Sequence, residues 1–357
     1  MTDSWWPTFG YDRKKELTLT GDRHFHHLPA RGALPATSEA ATVGDFSVSP
    51  QSNLLSYDLT VSTDGGQTVV APGGVVDVNL RGPRPVFHYR GTGAVWKFAI
   101  ASAHYDVTRS VHQDGAGHST KIAVYHLKRH SQNVSRVLSA TRAALDAYTR
   151  LFAPLPYSEI NIVETPQNLA RKADTFGNIV TLPEKDVWLH DYRNAPPRDW
   201  VLYTIAREVA KMWWGQQVVP GNMKGSLLLA ESLPEYLALR TVERSNGIDQ
   251  ALDLLAMRRD LYLRQRVKED AIEPSVLDLE DEKFATHKGL LALFEARNVL
   301  GPDGLDAALA AYFVQSRGRT APPFANAAEL LATLQLRARD ESQRAQLAAI
   351  FSRTELY

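Results

Sequence analysis

The stretch that decides the reading is Arg207-Glu208-Val209-Ala210-Lys211-Met212-Trp213-Trp214-Gly215. It pairs with Ala230-Glu231-Ser232-Leu233-Pro234-Glu235-Tyr236, whose Glu231 follows Lys211 after nineteen intervening residues. Positions 207 and 211 lie one helical turn apart on one face, with Glu208 as their neighbour. Val201, Leu202, Ile205, Val209, Met212 and Trp213 share the apolar face of a helix predicted over 199–214. A second helix, predicted over 226–244 and broken at Asn246-Gly247, brings Glu231 back toward that face. Trp213 and Trp214 read as packing beneath the first helix.

Upstream of this pair the period is two, not 3.6. Tyr57–Val61, Thr68–Ala71, Val75–Leu80, Val86–Tyr89, Val95–Ile100, His104–Val107 and Lys121–Tyr125 read as short strands, with Gly65-Gly66 and Gly73-Gly74 as turns. Val134, Val137, Leu138, Thr141, Leu145 and Tyr148 then recur at helical spacing up to Pro154. Glu159–Val163 and Asn178–Leu182 read as buried strands. Downstream, helices are predicted over 250–265, 287–299, 303–315, 326–336 and 340–352. The order gives an α+β chain: an extended arm (1–45), an antiparallel β domain (46–128), a mixed domain (129–300) and a helical C-terminal segment (301–357).

Composition narrows the chemistry. Among 357 residues, Lys plus Arg and Asp plus Glu are both 40, which argues against a general nucleic-acid or anionic-membrane binder. With 44% apolar and 22% charged residues the chain is an ordinary globular one. The absence of cysteine excludes disulfides, thiolate metal sites and cysteine nucleophiles. No apolar run reaches the roughly 18 residues a membrane span needs, and Met1–Trp6 has neither the basic nor the apolar region of a signal peptide. Two local patterns stand apart. His24-Phe25-His26-His27 is a His-rich tract of the kind that binds metal or lies as a surface loop. Asn133-Val134-Ser135 fits a glycosylation sequon, although it also stands where a helix begins.

The spacing at 207–231 is that of a zinc protease with its metal ligands changed. In H-E-x-x-H, two His one turn apart bind zinc and the intervening Glu is the general base. On these residues the segment 207–236 resembles the membrane-alanyl-aminopeptidase family of zinc metallopeptidases, the gluzincins, whose helix reads H-E-x-x-H-x-W-W-G and whose second helix carries E-x-x-x-x-Y. Gly215–Pro220 and Ala230-Glu231-Ser232 are most similar to the branch fused to ABC transporter permeases. His287-Lys288-Gly289-Leu290-Leu291 resembles the family's Y-x-K-G, with Thr286 at the Tyr position, and Trp6–Tyr11 resembles a segment of the family's β domain.

The resemblance implies a thermolysin-like mixed domain after a β domain that this chain enters part-way. It implies Glu208 at the general-base position and Glu231 at the third zinc-ligand position. Arg207 and Lys211 stand at the two His positions, Thr286 replaces the Tyr that stabilises the tetrahedral intermediate, and Asp174 in Arg171–Gly177 is the nearest counterpart of the amine-binding Glu. Arg and charged Lys have no lone pair for a metal. No metal cofactor is therefore expected, although zinc is the family's. The chain is expected to be a pseudopeptidase that binds peptide or protein or acts as a scaffold, with an ABC permease as partner and an extracytoplasmic placement by analogy. The alternative is a zinc aminopeptidase with atypical ligands, to be sought around Glu231, His287 and the His24–His27 tract. Arg207 and Lys211 together restore the +2 of a zinc ion, so a salt bridge from either to Glu231 is expected to tie the helices. Glu231→Ala is then expected to cost about 3–5 kcal/mol.

Overall fold

The computed structural model describes residues 16–17, 20–30, 32–47, 55–95, 98–168, 172–192, 198–266 and 273–354. Trp6–Tyr11 and Arg171, on which parts of the sequence reading fall, lie outside them. The expected α+β architecture is the one observed. The first strands are β1 (Leu55–Ser62), β2 (Thr68–Val70), β3 (Gly74–Asn79), β4 (Val86–Val95) and β5 (Ala101–Ala103). They form a three-stranded antiparallel sheet in the order β1-β4-β3 and a separate β2–β5 pair.

The next strands are β6 (Tyr105–Gln113), β7 (Ser119–Leu127), β8 (Glu159–Thr165), β9 (Asp174–Phe176) and β10 (Ile179–Pro183). They build one five-stranded sheet in the order β6-β7-β8-β10-β9. The boundary expected at 128 therefore falls inside the reach of this sheet, because β7 pairs in parallel with β8. Strands β7, β8 and β10 run parallel, while β6 and β9 close the two edges antiparallel. β8 beyond its first residue and all of β10 are buried, so their polar members Asn161, Glu164, Thr165 and Thr181 also lie in the interior. The edge strand β9 is three residues long, too short for a periodicity signal, and escapes a reading by sequence alone.

Helix α1 (Thr20–Phe25) and a 3₁₀ turn, Thr37–Thr42, occupy the N-terminal segment expected to be only extended. That segment is anchored. Val43 and Phe46 pack with Val219, Met223 and Phe324, and Asn222 N–H donates to the Asp45 carbonyl at 2.8 Å. The remaining helices follow the predicted periods closely. They are α2 (Val134–Leu151), α3 (Trp200–Ala210), α4 (Leu233–Asn246), α5 (Ile248–Arg266), a single turn α6 (Glu282–Phe284), α7 (Leu290–Leu300), α8 (Pro302–Ser316), α9 (Ala327–Gln335) and α10 (Glu341–Ser352). One core runs from β7, β8 and β10 through α2, α3 and α4 to the C-terminal helices.

Two differences from the expected helices bear on the site. Helix α3, capped by Asp199 accepting from Leu202 N–H, ends at Ala210 rather than 214. Lys211, Met212 and Trp213 close tighter i→i−3 bonds, and Gly215 takes a φ of +117° that L side chains rarely adopt. The stretch before α4 is a π-helical turn, Leu228–Ser232, and a second π turn, Ala285–Gly289, leads into α7. The two turns touch: Ser232 Oγ donates to the Ala285 carbonyl at 2.7 Å. A Cβ on Gly289 would lie 2.0 Å from Ser232 Oγ, so only glycine permits this approach.

Candidate functional site

The two quoted segments do meet. Glu208 is fully buried, and both of its carboxylate oxygens are engaged. Oε1 accepts from Arg207 Nε at 2.9 Å and lies 2.7 Å from Arg207 Nη2. Oε2 accepts from Thr175 Oγ1 at 2.9 Å and lies 3.4 Å from Lys211 Nζ. Lys211 Nζ stands at the same 3.4 Å from Glu231 Oε2. It therefore bridges the end of α3 and the π turn before α4.

Of the two cations from which a bridge to Glu231 is expected, Lys211 makes it and Arg207 turns to a deeper carboxylate. Its Nη1 donates to Glu235 Oε1 at 3.1 Å, and Glu235, 1% exposed, also receives Arg258 Nη2 at 2.8 Å and the Tyr203 hydroxyl. The reason is register. Glu235 lies four residues beyond Glu231, one turn deeper along the second helix, where the Arg207 guanidinium reaches it. Arg258, from the middle of α5, also lies over the Tyr203 ring at 5.2 Å. Three cations (Arg207, Lys211, Arg258) thus face three carboxylates (Glu208, Glu231, Glu235). Sequence reasoning named five of the six. It missed Arg258, which shares no periodic pattern with the others, and it missed Thr175, the neighbour of Asp174 on β9.

The electrostatics fix the protonation of these nitrogens. Burial opposes the Lys211 charge, but the carboxylates of Glu208 and Glu231 outweigh it and hold its pKa well above the usual lysine value. Burial likewise opposes the Arg207 charge, and Glu208 and Glu235 raise its pKa further. Glu235 is pushed up by burial and pulled back below its ordinary value by Arg258 and Arg207. A zinc ion needs unprotonated nitrogen or carboxylate donors. The donor set here does not fit one: at 207 and 211 stand a guanidinium and an ammonium that the site itself keeps charged.

A cleft of about 460 Å³ opens over this centre, lined by Lys172, Arg207, Lys211, Glu231, Arg258, Asp281, Glu282, Thr286 and His287. Glu208 is not part of its wall. The Thr286 hydroxyl donates to the Glu282 carbonyl at 2.8 Å, along its own turn. His287 reaches the cleft with Nδ1 buried and without a hydrogen-bond partner, and burial pushes its pKa down to about 4, with Arg258 adding to the effect. Lys288, next to it, is fully buried against Glu273 at 2.7 Å and the Pro274 carbonyl. The Asp174 carboxylate accepts the Thr175 N–H at 2.9 Å and contributes to the field that holds Lys211 charged.

The remaining expectations separate cleanly. Trp213 and Trp214 are both fully buried. Trp213 Nε1 donates to the Ala153 carbonyl at 2.9 Å, and Trp214 packs on Phe152, Tyr312 and Phe313. Asn133 is buried, and its Nδ2 donates to the carbonyls of Val187, Trp188 and His190, so the sequon nitrogen is committed to the interior. Although Asn133 precedes α2, it makes no capping bond there. His24, His26 and His27 are exposed, and among the described residues they do not join any group of three metal-binding side chains.

No protein-family model matches the sequence, and no curated protein matches it. Solved structures do. A two-domain M1 zinc metallopeptidase, a glutamate-to-alanine variant bound to L-tryptophan, superposes with a TM-score of 0.63 at 15% identity, over 85% of this chain and 65% of that one. An M1 zinc metallopeptidase from Deinococcus radiodurans gives 0.62 at 16% identity, over 85% and 64%. A variant of the Deinococcus enzyme bound to a Tyr-Ser-Ala substrate gives 0.61 at 16% identity. The chain therefore spans slightly less than two thirds of the structures it resembles. Over most of its own length it has the fold of the M1 zinc metallopeptidases.

Proposed function

We propose that this chain is a peptidase-like module whose cleft holds no catalytic metal. In this reading its former catalytic centre is an ion-pair network, and its cleft binds peptide or protein instead of cleaving it. The observation that carries the reading is the state of Glu208. A general base needs a free lone pair beside an activated water. Here both oxygens are taken by Arg207, Lys211 and Thr175, and the carboxylate is sealed from the cleft. The hydroxyl of Thr286 is too short and too committed to serve as the family's Tyr.

The cleft wall carries both signs of charge, with Lys172 paired to Glu282 and Arg258 held by Glu235, so a bound peptide would meet a polar but largely self-neutralised lining. An extracytoplasmic placement and an ABC permease partner are part of the proposal. Their support is the similarity of Gly215–Pro220 and Ala230–Ser232 to the permease-fused branch. Among the described residues no helix is long and apolar enough to cross a membrane.

The test is hydrolysis of a panel of aminoacyl-7-amido-4-methylcoumarins by the full chain, assayed with and without added zinc. The expected result is turnover indistinguishable from that of Glu208→Gln. Zinc-dependent turnover that Glu208→Gln abolishes would establish instead the alternative, an aminopeptidase with atypical ligands.

A further inference from the structure

A second group of nitrogen and carboxylate side chains lies outside the cleft wall. Strands β7, β8 and β10 are parallel neighbours, so their C-terminal ends share one edge of the sheet, the edge at which open α/β sheets bind ligands. Each end delivers one side chain. The 3₁₀ turn after β7, Lys128–Asn133, carries His130. The last residues of β8 carry Glu164. The π-helical turn that follows β10, Glu184–Trp188, begins with Glu184. His130 and Glu164 are buried, whereas the Glu184 side chain is one third exposed and opens the group to solvent.

The arrangement within the group is directional. Glu164 is fixed on both oxygens: Oε2 accepts Leu127 N–H at 2.7 Å, and Oε1 lies 2.5 Å from His130 Nδ1. That contact engages Nδ1 with Glu164 and leaves Nε2 as the ring nitrogen turned toward Glu184. Nε2 faces Glu184 Oε1 at 3.8 Å, too far for a hydrogen bond. Two ligands about 2.1 Å from one metal in tetrahedral geometry stand about 3.4 Å apart, so the gap needs to close by only a few tenths of an ångström. One ligand atom from each of the three residues lies within 4.8 Å of the others. A carboxylate behind a histidine whose far nitrogen faces an open, partly solvated carboxylate is the outer-shell arrangement that sets ring orientation at metal centres.

We propose that His130 and Glu184 coordinate a divalent transition-metal ion, with Glu164 as the residue that positions the imidazole and water completing the coordination. Imidazole with carboxylate suits zinc, cobalt or nickel rather than calcium or magnesium. The ion would staple the turn after β10 to the turn after β7, beside the Asn133 side chain that already ties those two turns together.

The experiment is calorimetric titration of the EDTA-treated full chain with zinc chloride, repeated with cobalt chloride while following the visible d–d absorption. One ion per chain is expected. Glu184→Gln, at a partly exposed position, is expected to weaken binding tenfold or more, and Glu164→Gln by about 10–100-fold. Glu231→Gln, in the ion-pair centre, is expected to leave it unchanged. Absence of binding at millimolar metal overturns the proposal, as does binding that survives both Glu184→Gln and His130→Asn. Binding lost in Glu231→Gln but not in Glu184→Gln would overturn it too and would count against the metal-free reading of the cleft, whereas the other failures leave that reading intact.

Discussion

The centre between α3, α4 and α5 and the group at the ends of β7, β8 and β10 are made of the same materials, nitrogen side chains and glutamates, and they differ in one respect. At 207, 211 and 258 the nitrogens belong to Arg and Lys, and the carboxylates around Arg207 and Lys211 deepen their commitment to the charged form. At 130 the nitrogen belongs to an imidazole with one face held by Glu164 and the other turned to Glu184. Equal numbers of cations and carboxylates make a closed ionic tie. One imidazole between two carboxylates leaves the carboxylates in excess, and an imidazole, unlike a guanidinium, can offer a lone pair to a metal that displaces its proton. Carboxylates are thus shared by both groups, and the type of the facing nitrogen separates the closed salt bridge from the coordination site proposed above.

The sharpest way to break this contrast is at Glu235. Its removal leaves Arg258 buried without a carboxylate and Arg207 with Glu208 alone, and Glu235→Ala is expected to lower unfolding free energy by about 3–5 kcal/mol in urea titration. A wild-type midpoint would show that the tie is not the buried element described here. The cost that the sequence reading assigned to Glu231 moves to Glu235, because Arg207 reaches the deeper carboxylate.

The next effect is on pH dependence. The folded-state pKa of His287, near 4, is below the ordinary histidine value, so the unfolded chain binds the proton more readily. Stability from this group is full above about pH 6.5 and is lost as pH falls toward 4, by at most about 3 kcal/mol, less to the extent that solvent reaches the ring. His287→Asn should flatten that part of the stability–pH curve. An unchanged slope between pH 6.5 and 4 would place the ring in water. A packing lesion of similar size is expected at Gly289. Gly289→Ala should cost about 1–3 kcal/mol by forcing the two π turns apart, and Ser232→Gly in the same chain should recover much of it.

The smallest expected effect is that of Glu231→Ala. This side chain is partly exposed and has one contact, at 3.4 Å, to a lysine that keeps Glu208 as a second partner. A change of about 1 kcal/mol or less is expected in thermal or urea unfolding. A loss as large as that of Glu235→Ala would show that the outer bridge, not the inner one, ties the helices.

Much of this molecule is legible in its sequence, for a local reason. The 3.6-residue periods of α2 to α5 and α7 to α10, the buried runs of β8 and β10, and the spacing of Arg207, Glu208, Lys211 and Glu231 depend on neighbours within a few turns of chain. The chemistry of position 207 is local too, since a guanidinium has no lone pair to give, whereas Lys211 is held charged by carboxylates that the fold brings to it. What only the tertiary structure decided was pairing. Which glutamate Arg207 takes, that Arg258 and Thr175 join the centre, that Asn133 turns inward, and that His130, Glu164 and Glu184 converge from three strand ends all follow from contacts spanning tens of residues. Hydrophobic period specifies a face. It carries no information about which polar group another element will set against that face, because that depends on helix register and strand order, which are fixed only when the core closes.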